Sequence, residues 1–259
     1  MRPWRSWGVV FLLAAGLSGQ QVFHATTNLV NVRFTAWDAA GLIVNDLKPD
    51  ELQVSDDGIP EKIAFFNHSQ TLPLAIGIVV DISGSQSHFG KQHEQDLTKF
   101  LQAILRPGDR AFLVYFDDVI RVISEPAPVA ATLLWNLQHF SEKYAYRELG
   151  PKLDRDGGTA LFDAVADGAQ ELLGRESGQR VLLLYSDGMD NSSAADEMTV
   201  VAAAQKSDVV IYTIRYTADR KFNARDQYGV KVMDRLAAET GGLSFDARAI
   251  KPEKYLPEI

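Results

Sequence analysis

The chain contains no cysteine among its 259 residues. This absence excludes a disulfide-stapled scaffold, a zinc site with thiolate ligands and a cysteine nucleophile. Basic residues are also few beside acidic ones, with 26 Lys and Arg against 34 Asp and Glu and a formal net charge of −8. A chain of this charge is poorly suited to the phosphate backbone, so nucleic acid is not an expected partner.

Long apolar runs are also scarce, and only the amino terminus carries one that bears on location. Arg2 and Arg5 precede the uncharged apolar stretch 7–17, and small residues at its end offer a cleavage site. A stretch this short is typical of a secretory signal rather than of a membrane span. We predict a signal peptide over residues 1–19 and export to the periplasm or the cell exterior. The alternative is an uncleaved anchor, the only case in which membrane contact is expected.

From residue 74 onward, apolar runs of strand length alternate with segments of helical periodicity. Strands are predicted at 74–80, 111–116, 119–123, 181–185, 209–214 and 243–245. Helices are predicted around 97–105, 133–140, 159–173, 194–205 and 232–238, with surface loops at 141–155 and 218–228. The alternation predicts an α/β fold, a doubly wound, Rossmann-like, mostly parallel sheet with helices on both faces. The strand 119–123 is predicted to be antiparallel and to lie at the sheet edge.

A small β module precedes this domain. Apolar residues alternate at positions 30, 32, 34 and 36, which predicts a half-buried strand, and another short strand is expected to begin at Ile63. The module is too short to hold a sizeable core, so we expect it to pack on the main domain. The predicted organisation is therefore a signal peptide at 1–19, the β module and a linker at 20–72, and the main domain at 73–259.

Polar side chains follow two of the predicted buried strands and open one helix. The strand 74–80 ends in an Asp-x-Ser-x-Ser motif, a Gly-Gly-Thr motif opens the helix after 158, and Ser-Asp-Gly ends the strand 181–185. In an open α/β sheet, ligands bind between the carboxyl ends of neighbouring strands at the point where the strand order reverses. Asp81 and Asp187 are therefore expected to face each other there, and Gly157 and Gly158 would let the Thr159 loop come close.

These motifs supply oxygen donors and neither nitrogen nor sulfur. The candidate metal ligands are Asp81, Ser83, Ser85, Thr159 and Asp187. Such a set suits a hard cation, Mg²⁺ before Mn²⁺ or Ca²⁺, with water completing the shell. Each motif alone has a plainer explanation. Asp81 could end a strand while its serines cap the next helix, Thr159 could be a helix N-cap, and Asp187 could be a turn residue before Gly188.

The three motifs together resemble the metal-ion-dependent adhesion site (MIDAS) of von Willebrand factor A domains. They read Asp81-Ile82-Ser83-Gly84-Ser85, Gly157-Gly158-Thr159 and Ser186-Asp187-Gly188. The resemblance covers about residues 74–245, and the preceding module resembles the amino-terminal part of exported bacterial proteins that carry this domain. The chain departs from the family pattern at one point: the closing helix after residue 245 is expected to be short or missing.

The resemblance implies a binding function rather than a catalytic one. It implies that the Ser83 and Ser85 hydroxyls, and often that of Thr159, bind the ion directly, whereas Asp81 and Asp187 act largely through water. One coordination position then remains for an acidic side chain of a partner protein. No catalytic residue and no small-molecule substrate are expected.

Two other functions stay open at this stage. One is a structural module of a cell-envelope assembly whose interactions ignore the metal, and the other is a metal-assisted hydrolase. Common enzyme signatures are absent, since His93-Glu94 lacks the second histidine of a zinc-protease helix and no nucleophile elbow or P-loop occurs. His88 and His93 are expected on the surface.

Overall fold

The computed structural model describes residues 46–67, 72–128, 147–151, 156–217 and 224–255, with shorter pieces at 30, 32, 34, 36, 38–40, 44, 133, 135 and 136. Several predicted features fall partly or wholly outside these residues: the signal peptide at 1–19, most of the helix 133–140, and the loop portions 141–146, 152–155 and 218–223.

Two short strands form an antiparallel hairpin ahead of the main domain. They are β1 (Val54–Asp56) and β2 (Ile59–Glu61), joined by Asp57 and Gly58 with positive φ angles of 46° and 80°. Two positive-φ residues suit the tight turn of a two-residue hairpin. The strand predicted to begin at Ile63 is wrong, because the chain has already turned back at Gly58 and residues 62–67 form no strand.

The predicted buried face of the module is exposed. Val30, Val32 and Phe34 are 81%, 63% and 53% exposed, and every residue of β1 and β2 is exposed as well. The half-buried strand predicted at 30–36 is therefore wrong for these positions, since so short a module has too little surface to cover them. Packing of the module on the main domain stays a prediction.

Seven strands of the described residues form the central sheet. In addition to β3 (Leu74–Asp81) and β4 (Arg110–Phe116), they are β5 (Ile120–Ala127), β6 (Arg147–Leu149), β7 (Gln179–Ser186), β8 (Val209–Arg215) and β9 (Ser244–Asp246). Their order is β6-β5-β4-β3-β7-β8-β9. Strand β5 pairs antiparallel with both β4 and β6, and all the other pairs are parallel. The predicted doubly wound, mostly parallel α/β fold is confirmed.

Helices cover both faces of this sheet. They are α1 (Gly90–Ile104), α2 (Leu161–Asp167), α3 (Glu197–Lys206), α4 (Ala224–Ala238) and the short α5 (Pro252–Tyr255). One apolar core packs α2, α3 and α4 against Ala75 and Val79 of β3, and the other packs α1 and α5 against the alternate residues Ile76, Ile78 and Val80. None of the helices that the structure describes has the length and apolarity needed to cross a bilayer.

At the periphery of the sheet, two predicted loops and the predicted edge strand need correction. Part of the predicted loop 141–155 is the strand β6, so β5 is not the edge strand; β6 has only three residues and leaves no periodic signal. Helix α4 begins at Ala224, inside the predicted irregular stretch 218–228, because its first turn is exposed and polar and shows no apolar repeat. The short α5 agrees with the expected short closing helix.

The topology brings two distant parts of the chain to one point. Strand β3 lies between β4 and β7, and Val80 pairs with Tyr185 in parallel register. The chain leaves β3 on one side and returns through β7 on the other, so this is where the strand order reverses. The residues that follow these two strands, including Asp81 and the Asp187 turn, therefore lie at the same edge.

Gly77 of β3 provides a test of the core packing. A Cβ atom at this position would lie 2.4 Å from Cζ of the buried Phe112 ring, so Gly77→Ala should displace that ring and lower the free energy of unfolding by about 1–3 kcal/mol. Urea unfolding followed by circular dichroism measures the change. Gly90→Ala is the control, because a Cβ there meets nothing within 4 Å. Equal midpoints for the parent and Gly77→Ala would contradict the predicted packing.

Candidate metal centre

Asp81 is the buried centre of the candidate site. It ends β3, is 1% exposed, and both of its carboxylate oxygens accept hydrogen bonds. Oδ1 accepts from the Ser83 backbone N–H at 2.9 Å, and Oδ2 accepts from the Ser186 hydroxyl at 2.6 Å. The second bond joins the ends of β3 and β7, which the topology has already brought together.

The bond from the Ser83 N–H to Asp81 closes a tight turn and places two hydroxyls side by side. Oγ of Ser83 lies 3.3 Å from Oγ of Ser85; Ser83 is buried and Ser85 is exposed. The loop beyond them is anchored by the buried Gln86 side chain, which donates to the backbone oxygen of Tyr216 at 3.1 Å. Two neighbouring hydroxyls, one facing solvent, suit a cation at the surface of the sheet edge.

Thr159 is buried and held by the loop that follows β7. Its N–H donates to Oδ1 of Asn191 at 2.7 Å, and its carbonyl accepts from the backbone N–H of Asn191 at 3.1 Å. A Cβ at Gly158 would lie 2.7 Å from that same Asn191 oxygen, which confirms that glycine is needed for this close approach. Helix α2 starts at Leu161, later than predicted, and Asp190 accepts the N–H of Phe162, so Thr159 is not its N-cap.

Asp187 is partly buried in the turn after β7, where Oδ1 accepts the Met189 N–H at 3.1 Å. Its charge acts on its buried neighbour. The pKa of Asp81 is raised to about 6, chiefly by burial, and the Asp187 charge adds to the rise while the bonds from Ser186 and Ser83 oppose it. A cation near the two carboxylates would favour their charged forms and reverse this shift.

The structure brings together the loops that carry all five predicted ligands. Asp81, Ser83 and Ser85 share one loop, the Ser186 hydroxyl ties that loop to the Asp187 turn, and Asn191 ties the Thr159 loop to the same segment. All three lie at the carboxyl edge of the sheet.

Five residues outside the predicted ligand set hold these loops in place. They are Ser186, Asp190, Asn191, Ser193 and, at the start of α2, Asp163. Ser186 belongs to the predicted Ser-Asp-Gly motif, but its bond to Asp81 was not predicted. For Asp190, Asn191 and Ser193 the available signal was the polar run Met189–Ser193, because Asp, Asn and Ser commonly bond to backbone groups.

The donor chemistry fits a hard cation. The five residues offer two carboxylates and three hydroxyls, all of them oxygen donors, as Mg²⁺ prefers. Among the residues that the structure describes, no three His, Cys, Asp or Glu side chains form a metal-binding group. With two carboxylates and three hydroxyls, the five candidate residues fit a hard cation whose coordination shell is completed by water.

A cluster of polar aromatic residues lies beneath the site, and it corrects the prediction that His93 is on the surface. His93 is 3% exposed, and its ring centroid lies 4.3 Å from that of Tyr216 and 6.0 Å from that of Tyr185. It shares the buried face of α1 with Asp96, Leu97, Phe100 and Leu101, so the helical repeat could have revealed it. His88 is exposed, as predicted.

Comparison with known proteins identifies the family. The model of the von Willebrand factor type A (VWA) domain matches residues 75–249, which is most of the chain. The chain belongs to the VWA domain family. Proteins of this family are generally non-enzymatic adhesion or structural modules, and they often bind a divalent metal and mediate protein–protein interactions. A search of curated proteins finds no match.

Solved structures share the VWA fold at low sequence identity. BatB from Bacteroides thetaiotaomicron has a TM-score of 0.53 and 14% identity, over 71% of this chain and 96% of its own. Proximal thread matrix protein 1 from the mussel byssus, with a zinc-occupied MIDAS motif, has a TM-score of 0.54 and 18% identity, over 71% and 44%. A VWA protein from Catenulispora acidiphila has a TM-score of 0.50 and 17% identity, over 72% and 40%.

Burial of His93 predicts a specific dependence of stability on pH. Burial lowers its pKa from 6.5 to about 4, so the unfolded chain binds the proton more tightly than the folded chain. The contribution of His93 to the free energy of unfolding is therefore largest above pH 6.5. It falls by up to about 3 kcal/mol as the pH is lowered towards 4. Its ring neighbours Phe89, Tyr185 and Tyr216 carry no positive charge to add to this effect.

Urea unfolding at pH 4.5, 5.5, 6.5 and 7.5 tests this prediction. His93→Phe keeps a ring of similar shape and should remove most of the loss, whereas His88→Gln should leave it unchanged. Asp81 titrates in the same range with the opposite sign, because its folded pKa is raised, but it is present in all three proteins and cancels in the comparison. An identical pH profile for His93→Phe and the parent would show that His93 is not buried in this way.

Proposed function

We propose that the chain is an exported VWA protein that binds a partner protein through a divalent cation. Mg²⁺ is the expected ion, with Mn²⁺ and Ca²⁺ as alternatives, and its ligands are Asp81, Ser83, Ser85, Thr159 and Asp187. The observation that carries the proposal is the Asp81 carboxylate, which is 1% exposed and lies in the field of Asp187, beside two adjacent serine hydroxyls. A positive charge near the two carboxylates would favour their charged forms.

Each residue has a distinct role in this proposal. The Ser83, Ser85 and Thr159 hydroxyls would hold the ion directly, and Asp81 and Asp187 would hold it largely through water. When bound, Mg²⁺ supplies a Lewis-acidic coordination position that a carboxylate of the partner can fill. Because three of the donors are neutral hydroxyls and the two carboxylates only balance the ion's charge, an incoming carboxylate still gains from binding it. The mussel protein with zinc in its MIDAS motif supports the choice of site as an analogy within the family.

A metal-independent structural module is the second candidate. One observation favours it: both oxygens of Asp81 already accept hydrogen bonds from Ser83 and Ser186, so the loop has its form without an ion. In that case the same loops would have only a structural role at the carboxyl edge of the sheet. Partner binding would then be unchanged when a chelator removes divalent cations.

Calorimetric titration of the full-length protein with Mg²⁺ and Mn²⁺ separates the two candidates. We expect saturable binding of one ion, lost in Asp81→Ala and weakened at least about tenfold in Ser83→Ala, because each removes a group that holds the ion. Ser87→Ala is the control, since Ser87 lies in the same loop but its hydroxyl donates to the Gly84 oxygen instead. No binding by the parent, either alone or with soluble acetate to fill the partner's position, would refute the metal site.

The proposed domain organisation, with a signal peptide at 1–19, a β module at 20–72 and the VWA domain at 73–259, makes a separate prediction about export. Expression of the full-length chain with a carboxyl-terminal tag in a bacterial host should yield protein outside the cytoplasm that begins near Gln20. Mass spectrometry of the intact protein from each cell fraction measures this. Recovery of the chain from the membrane fraction with its first 19 residues still attached would instead indicate an anchor, and recovery from the cytoplasm would contradict export.

A further inference from the structure

We infer that Asn191 and Asp163 are positioning residues that fix the Thr159 ligand relative to the Asp187 turn. The inference rests on the proposed metal site and names residues outside its ligand set. Together with Asp190 and Ser193, they form hydrogen bonds between the segment 190–195 and the start of α2, a set of contacts referred to below as the clasp.

Asn191 forms the first half of the clasp through hydrogen bonds to both the N–H and the carbonyl of Thr159. Its side-chain Oδ1 accepts the Thr159 N–H at 2.7 Å, and its own N–H donates to the Thr159 carbonyl at 3.1 Å. The N–H of Ser192 donates to the same carbonyl at 3.2 Å. With both its N–H and its carbonyl held, the backbone of Thr159 cannot move independently of the segment that follows Asp187.

Asp163 forms the second half of the clasp from within the helix. Its carboxylate is 3% exposed and accepts the backbone N–H groups of Ala194 and Ala195 at 2.9 and 2.8 Å. In the opposite direction, the Ser193 hydroxyl accepts the Asp163 N–H at 3.0 Å, and Asp190 accepts the Phe162 N–H at 3.0 Å. The first turn of α2 and the segment 190–195 are therefore joined as one unit.

This unit has a function that core packing does not explain. Asn191 is exposed, and an exposed polar side chain usually contributes little to stability, yet this one fits against Gly158 so closely that no Cβ could replace the glycine hydrogen. Metal ligands on separate loops must be held to within about 0.5 Å by supporting contacts. The Ser83 loop has its own supports in Asp81 and Gln86, and the clasp supplies the equivalent support for Thr159 by tying it to the segment that follows the Asp187 turn.

The test measures Mg²⁺ affinity by calorimetry and, without metal, the hydrogen exchange of the backbone amides of Thr159, Ala194 and Ala195. Asn191→Ala should weaken Mg²⁺ binding about tenfold or more and speed exchange at Thr159, because the N–H loses its acceptor. Asn191→Asp keeps an oxygen there and should restore binding to at least the parent level. Asp163→Asn presents an NH₂ group to one of the two N–H donors, so it should weaken binding and speed exchange at Ala194 or Ala195.

Thr240→Ala provides the matched control. It also removes a side-chain oxygen that accepts a backbone N–H, that of Ile211 at 3.0 Å, but near the start of β8, at the opposite end of the sheet from the candidate site. Its Mg²⁺ affinity should equal that of the parent even though its stability falls. Unchanged affinity in Asn191→Ala, or an equal loss in Thr240→Ala, would overturn the positioning role while leaving the proposed function intact. Failure of the parent to bind any ion would overturn both.

Discussion

The hydrogen bond from the Ser186 hydroxyl to the Asp81 carboxylate is the constraint on which the candidate site depends. It joins residues 105 positions apart in the sequence and is buried at the point where the strand order reverses. The same Ser186 oxygen accepts the Gly188 N–H at 3.0 Å and so shapes the turn that carries Asp187. The pairing of β3 with β7 brings the two loops to the same edge of the sheet, and this bond ties the Asp81 side chain directly to the turn that carries Asp187.

This arrangement is unfavourable for the isolated fold. Burying Asp81 beside Asp187 raises the pKa of Asp81, which means that the folded state disfavours its charged form near neutral pH. A sequence selected for stability alone could place an asparagine or serine there. Groups with a shifted pKa cluster at sites where proteins bind or react, so the buried Asp81 carboxylate supports a ligand with positive charge.

The parts of the fold that were predictable are those whose residues show their environment in the sequence. Strands β3 and β7 are buried on both faces, so their apolar runs and the polar residues that end them revealed both the α/β fold and the candidate ligands. Strand β6 and the first turn of α4 left no such signal, because they are short or solvent-exposed. The clasp could be predicted only in part. The polar run that contains Asn191 is visible in the sequence, but the backbone N–H groups that Asn191 and Asp163 bind are not, because every residue except proline carries the same group. His93 was misplaced because the helix was predicted only from residue 97, whereas α1 begins at Gly90 and includes His93 on its buried face.

Within the described part of the chain, β1 and β2 pair only with each other, and one residue limits what the outer edge of β2 can bind. In a two-residue hairpin the strand residues next to the turn, Asp56 and Ile59, exchange hydrogen bonds, so the next pair, Ser55 and Pro60, directs its backbone groups outward. Pro60 has no N–H, and the outer edge of β2 therefore lacks the donor that a foreign strand would need at its centre. The ring of Pro60 therefore protects the outer edge of β2 against pairing with a foreign strand.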